Sequence, residues 1–190
     1  MSKNAESSID KRARRTRGLL AQALMDLGAA QSIDTIEVGE LADAAGIGRS
    51  TFYAHYANKQ DFITQSFVNM IGIMERKAEA ERPDRADLLP AKELFDHFSE
   101  GRAFVAQFIQ SGDMVRVMTA GELKLREVVD ANLQHRAPDW TRERRQDAAV
   151  YVAAGFMGLA RWWMEGGMKR TPEQMCAAFA RLSDNALLED

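Results

Sequence analysis

The chain has 190 residues, 46% of them hydrophobic, and a formal net charge of −3. That length holds one large domain or a small one beside a medium one, with ample apolar material for a core. Its single cysteine, Cys176, excludes an intrachain disulfide and a cysteine-rich metal site, so no metal or cofactor is expected. No signal-like apolar start or run of spanning length stands out, so a cytoplasmic protein without a membrane partner is expected. No sustained alternation of β-branched residues occurs, while Ala, Leu, Met, Glu and Arg abound, so the fold class expected is all-α.

In chain order, residues 1–9 are polar and read as a disordered tail. Residues 11–17, Lys-Arg-Ala-Arg-Arg-Thr-Arg, carry five positive charges and no negative one. This cluster opens a first helix with Leu20 and Ala23. Its distribution matters more than the small net charge, because local cations release counterions from a polyanion. Arg15 and Arg17 are the candidate contacts here.

Val38, Leu41, Ala42 and Ala45 then recur at the spacing of one helical face. Thr35 stands ahead of them as the expected N-cap, and is counted among the DNA contacts. Gly46 follows the last apolar residue, where a chain leaving a helix turns through the left-handed region. A second helix is predicted from Gly48 or Arg49. Phe52 and Tyr56 share its inner face. Ser50, Thr51 and Ala54 fall outward, with Tyr53 on the flank. A small polar outer face permits close approach to base edges. The pair reads as a helix-turn-helix, with Arg49, Ser50 and Thr51 nearest the bases and Tyr53, His55 and Lys59 on phosphates. On that reading, removing Lys59 flattens the salt dependence of binding.

Residues 10–61 resemble the N-terminal domain of the tetracycline-repressor (TetR) family of bacterial transcription regulators. The matching signatures are Arg15-Thr16-Arg17 with Leu20 and Ala23, Ile36 through Leu41-Ala42, and Ala45-Gly46-Ile47. The most specific is Ser50-Thr51-Phe52-Tyr53-Ala54-His55-Tyr56 followed by Asn58-Lys59-Gln60-Asp61-Phe62. Gly48 departs from the pattern, since the family usually carries Ser or Thr there, yet glycine is a tolerated cap. The resemblance implies a three-helix DNA-binding domain over 10–57 and a helical effector-binding and dimerisation domain over 58–190. It also implies double-stranded DNA as partner.

Asn58 is expected to cap a long helix through Phe62, Phe67, Met70, Ile71 and Met74, ending near Arg82-Pro83. Residues 83–90 read as a loop. Helices follow at about 91–100, through Phe104 to Ile109, and from Met114 to about Asn132, with a break at Ala137-Pro138-Asp139. Phe95, Phe98, Phe104, Phe108, Met114 and Met118 are the candidate lining of an apolar pocket. A stripe of this kind is more often plain core; the family resemblance adds the expectation of a small-molecule effector in this domain.

A helix from Thr141 to Gly166-Gly167 is apolar nearly all round in its middle, so burial on all sides is expected. The last helix starts at Thr171-Pro172-Glu173, with threonine as cap and proline at the first helical position. The segment Ala154–Met168, with Trp162-Trp163 before the glycine turn, resembles the C-terminal domain of one TetR subgroup. Two such helices from each of two subunits make a four-helix homodimer interface. Ala149, Ala153, Phe156, Met157, Ala160, Met175, Phe179 and Leu182 are its expected residues.

The function expected is a sequence-specific regulator, a repressor that leaves a pseudo-palindromic operator when its effector binds. A transcriptional activator or an effector-independent DNA-binding protein remains as the alternative. An enzyme is not expected: no catalytic residue is assigned, because His55, His97 and His135 lack metal spacing and Gly46-Ile47-Gly48 is too short for a phosphate loop.

Overall fold

The computed structural model describes residues 3–83, 85 and 87–187. These residues form α-helices α1 (Lys3–Ala30), α2 (Val38–Ala44), α3 (Arg49–Tyr53), α4 (Lys59–Glu81), α5 (Ala91–Glu100), α6 (Arg102–Phe108), α7 (Met114–Arg136), α8 (Arg142–Glu165) and α9 (Pro172–Leu187), with a 3-10 turn at Ile33–Thr35. No strand occurs among the described residues, as the composition indicates. The tail expected at 1–9 differs from this: α1 is already helical at Lys3, in a stretch free of Gly and Pro. Met1 and Ser2 lie outside the described residues.

The chain divides into two compact units. The first comprises Met1–Ser66 and Ala103–Asp113; the second comprises Phe67–Arg102 and Met114–Asp190. The contiguous division at 57/58 read from the sequence differs on both counts, since the division falls inside α4 and the first unit takes in a segment from α6. Packing gives the reason. Gly28 of α1 has no side chain, and the Phe104 ring fills the vacant space, with Cδ2 2.7 Å from where a Cβ would stand. The carboxylate of Asp34 also accepts the N–H of Gly112, at 3.2 and 3.4 Å.

The first unit's core is Leu20, Leu24, Ile33, Ile36, Leu41, Phe52 and Phe62, all with exposures of 4% or less. In the second unit α7 packs on α8, and α9 packs on both α5 and α8. An aromatic chain runs through that core. Phe95 of α5 meets Phe156 of α8 at 5.0 Å and Trp163 at 5.5 Å, and Phe156 meets Phe179 of α9 at 5.3 Å.

Caps set the helix ends. Asn58 Oδ1 accepts from Asp61 N at 2.8 Å to start α4, and Thr141 Oγ1 accepts from Arg144 N at 3.2 Å to start α8. Thr171 and Gln174 form a reciprocal box: Gln174 N donates to Thr171 Oγ1 at 3.3 Å and Thr171 N donates to Gln174 Oε1 at 3.0 Å. The α8–α9 turn is a Schellman motif, with Met168 N on Trp163 O at 2.9 Å, Gly167 N on Met164 O at 3.0 Å, and Gly167 at φ +75°. Arg102 donates to the carbonyls of Gly167 and Met168, both at 2.9 Å.

Between α4 and α5, Arg82 makes a two-pronged pair with buried Glu93 at 2.9 and 3.0 Å and also pairs with Asp87. Asp84 and Ala86 of this loop lie outside the described residues. Cys176 is half-buried on α9, and burial pushes its thiol up, away from the reactive thiolate form.

Gly121 of α7 leaves no room for a side chain. A Cβ there would strike the Phe67 ring, with Cδ1 at 2.9 Å, and would meet Met157 Cε at 3.2 Å. Phe67 itself is stacked on Phe98 at 6.3 Å, so the ring has little room to retreat. Gly121→Ala is expected to lower the urea midpoint. Overpacking costs about 1–3 kcal/mol and outweighs the roughly 1 kcal/mol helix-propensity gain. Gly72→Ala, whose Cβ meets only Arg76 Nη1 at 3.5 Å, is the control and should raise it.

Candidate nucleic-acid interface

The turn between α2 and α3 is built by backbone bonds. Ile47 N donates to Ala42 O at 2.9 Å and Gly46 N donates to Asp43 O at 3.1 Å, the bond pair of a Schellman motif. Gly46 adopts φ +64°, as its place in the sequence predicts. Gly48 is the N-cap of α3, extended at φ −75°, ψ 150° and without a side-chain cap bond. Thr35 is not the cap of α2. That position belongs to Glu37, while Thr35 closes the preceding 3-10 turn and its hydroxyl donates to Ser32 O at 2.8 Å. The correction has a local cause, since the chain uses 33–35 for a turn of its own before α2 begins.

Phe52 holds α3 in place. It is fully buried and lies 5.6 Å from Tyr56 and 5.7 Å from Phe62, which are themselves 5.0 Å apart. Burial raises the Tyr56 phenol pKa; Arg17 of α1 opposes this and Asp61 adds to it. With Phe52 turned inward, Arg49, Ser50, Tyr53 and Ala54 face solvent, and Tyr53 is 56% exposed. Thr51 and His55 are half-buried. On α1, Lys11, Arg12, Arg14, Arg15 and Arg17 are all exposed while Thr16 is buried. Of the outward set expected from the spacing, Ser50 and Ala54 are exposed and Thr51 is half-buried, with a basic helix in the same unit.

Two basic residues are not where the spacing placed them. Arg49 lies back over Gly39 of α2, with Cζ 2.8 Å and Nε 2.9 Å from where a Cβ would stand. Base contact requires it to swing outward. Lys59 departs further. Its ammonium donates to Ile33 O at 3.0 Å, Asp34 O at 2.9 Å and Ile36 O at 2.7 Å. An ammonium has three protons, so none remains for a phosphate. Neither contact has a sequence signal, since each depends on how residues ten or more apart are brought together.

The other predicted sites divide. Phe95 and Phe98 are buried in the second unit and engaged by neighbouring rings. Phe104 and Phe108 belong to the first unit, where they stack on each other at 6.1 Å. Met114 and Met118 return to the second. The six are thus divided four to two between the units. A concavity of about 330 Å³ lies instead in the first unit, between Leu19, Ala23, Leu27, Glu40 and Ala44 among others, and none of the six touches it.

The expected dimer residues are likewise corrected. Ala149, Ala153, Phe156, Met157, Ala160, Met175 and Phe179 are buried within the chain, and only Leu182, 55% exposed, remains available. The open face of α8 carries Tyr151, Ala154, Gly155, Gly158 and Trp162.

A family model described as a transcriptional regulator C-terminal region, TetR_C_8, matches residues 91–185, half of the chain. The chain belongs to the TetR family. The matched region is that of a transcriptional regulator. It is also 26% identical over 193 residues to the HTH-type transcriptional regulator YxbF of Bacillus subtilis (strain 168), covering 94% of this chain and 47% of YxbF. The chain thus spans about half the length of that relative.

Solved TetR-like structures share the fold at low identity. The dihydroxyacetone kinase operon activator DhaS has a TM-score of 0.67 at 17% identity, covering 90% of this chain and 96% of its own. Thermus thermophilus FadR, a TetR-family repressor in complex with lauroyl-CoA, has 0.59 at 19%, covering 92% and 96%. Among the described residues, no helix is long and apolar enough to cross a membrane.

The start of α4 supports the interface from below. Asp61 accepts from Ala57 N at 3.0 Å and from Gln65 Nε2 at 2.7 Å, bonds that hold its carboxyl below the ordinary range. A lowered carboxylate stabilises the fold above its unfolded pKa and loses that contribution as pH falls through the folded value. Asp61→Asn should therefore lower the urea midpoint modestly at pH 6. The difference from wild type should shrink once the pH passes below about 3.9.

Proposed function

We propose that this TetR-family regulator binds a pseudo-palindromic operator as a homodimer, represses from it, and leaves it when a small effector binds the second unit. The observation that carries the DNA-reading part is the exposed polar face of α3, set outward by the buried Phe52. Ser50, Thr51 and an outward-swung Arg49 take the base edges. Tyr53, His55, Arg15 and Arg17 take phosphates, which set register but not sequence. Thr35 contributes through its turn, since its hydroxyl is bonded within the backbone.

The exposed stripe of α8 supports the dimer. Tyr151, Ala154, Gly155, Gly158 and Trp162 recur at one helical face, with Tyr151 53% and Trp162 58% exposed. Nothing lies within 4 Å of a Cβ built at Gly155 or Gly158. Small residues between two large ones admit a close second helix, and a second copy of α8 supplies one with matching relief. On α9, Leu182 is exposed, as are Ala177 and Ala180. A twofold pair of α3 helices then reads two half-sites about 34–36 Å apart.

Two relatives bear on control. FadR, described as a repressor in complex with lauroyl-CoA, gives a precedent for an effector in this fold. DhaS, described as an operon activator, gives one for the opposite sign. Repression is the reading adopted here, acting in the cytoplasm where the operator lies. An effector shifts the balance by favouring a recognition-helix spacing that does not fit DNA.

The first test is selection of duplexes from a random pool by the purified chain, followed by sequencing. An enriched inverted repeat is expected. Tyr53→Phe should then weaken binding by about 1.5–3 kcal/mol, the range for a hydrogen bond to a charged group, equally for every sequence. Enrichment of a single non-repeated motif would sink the dimeric operator, and no enrichment in any condition would sink the DNA-reading face.

For the dimer, Gly158→Arg is the discriminating change. The position is open in the single chain, so the variant should fold normally. It should sediment as a monomer where the wild type sediments as a dimer. A dimer that persists in Gly158→Arg places the interface elsewhere.

A further inference from the structure

We infer that Lys59 is a positioning residue for the helix-turn-helix: it fixes the entry to α2 against the start of α4 and does not serve DNA as a phosphate ligand. The inference rests on the DNA-reading face proposed above, which it deepens.

The geometry is specific. Lys59 is the first residue of α4, and its Nζ reaches back to the carbonyls of Ile33, Asp34 and Ile36 at 3.0, 2.9 and 2.7 Å. The three carbonyls stand around the end of the 3-10 turn, where Ile33 O also accepts the Ile36 N–H at 3.3 Å. The end of a helical turn is its negative pole, so a cation there gains both hydrogen bonds and charge complementarity. Three protons meet three acceptors, which satisfies the ammonium in full.

The turn is held from other sides too. Gly112 N bonds the Asp34 carboxylate, and Gln31 Nε2 bonds Glu40 Oε1 of α2 at 2.6 Å. Ile33 and Ile36 are both fully buried beneath it. Only one residue, Glu37, separates Ile36 from the first residue of α2. Lys59 thus sets where α2 begins. Phe52 and Phe62 set where α3 lies against the same end of α4.

A planar guanidinium donates in a fixed fork and cannot place three protons into this carbonyl nest, yet it is a good phosphate ligand. Lys59→Arg therefore separates the two roles, and Lys59→Met removes the ammonium while keeping most of the stem. The full-length chain and both variants would be compared in two assays. One is amide hydrogen exchange of the free protein. The other is affinity for the selected operator across a range of salt concentrations.

The expected result is faster exchange over residues 33–41 in both variants. Operator affinity should fall about tenfold or more, in line with loss of a charged hydrogen bond. The salt slope should stay that of the wild type. The opposite result is unchanged exchange, affinity retained in Lys59→Arg, and a slope reduced by about one in Lys59→Met; that pattern belongs to a phosphate contact and overturns the inference. Faster exchange with unchanged affinity also overturns it, because the clamp would then not serve DNA reading. Should the wild type bind no operator, the DNA-reading face fails, and the exchange data alone still decide whether the clamp holds α2. If Lys59→Met does not fold, Lys59→Arg carries both measurements.

Discussion

The first turn of α4 is the reference point of the first unit. Two contacts leave from it in different directions. The Lys59 ammonium goes to the carbonyls ahead of α2, and the Phe62 ring goes to Phe52 under α3. Short helices need such anchors. α2 and α3 run Val38–Ala44 and Arg49–Tyr53, far below the length at which an isolated helix is stable in water. Their conformation is therefore a property of what they rest on. The Asn58 and Asp61 caps belong to the same logic, since they stop the support itself from fraying.

Most of the elements were legible in the sequence because their signals are local. Gly46 as the left-handed C′ residue, Thr141 and Thr171-Pro172 as starts, and Pro83 after the end of α4 each follow from the chemistry of one or two residues. The inward and outward faces of α3 were legible too, because Phe52 and Tyr56 differ sharply from Ser50 and Tyr53. What failed shares one cause. The middle of α8 is apolar nearly all round, so periodicity assigns no face. Ala153 and Phe156 were placed at a partner although they are buried at home, while Gly155 and Gly158 were left open. Lys59 and Arg49 rest where the spacing does not put them, for a related reason. A long cation looks available on paper, and only the folded chain shows that Gly39 makes room for one and a carbonyl nest takes the other.

Family membership settles the class of activity and leaves its sign open. An activator, DhaS, and a repressor, FadR, both share this fold. In the proposed scheme the sign follows from where the operator stands, since a bound regulator blocks or recruits polymerase according to its place. The aromatic interior of the second unit bears on the size of the effector proposed for it. Phe95, Phe156, Phe179 and Trp163 already interlock, so a ligand entering among them must separate rings that now touch. A close-packed interior transmits such a displacement instead of absorbing it.

The recruitment of Ala103–Asp113 into the first unit has a consequence for synthesis. Domains generally fold as units as the chain emerges, N-terminal part first, at about 5–20 residues per second. Here the N-terminal part is not self-sufficient. Until Phe104 arrives, the hollow at Gly28 stays open, and until Gly112 arrives, the Asp34 carboxylate lacks the N–H it accepts. Val105 and Phe108, both buried, are missing from that early core as well. The first unit therefore completes only after the first third of the other unit has been made. A fragment cut just after His55 would carry every residue proposed to face DNA and still lack part of what holds them.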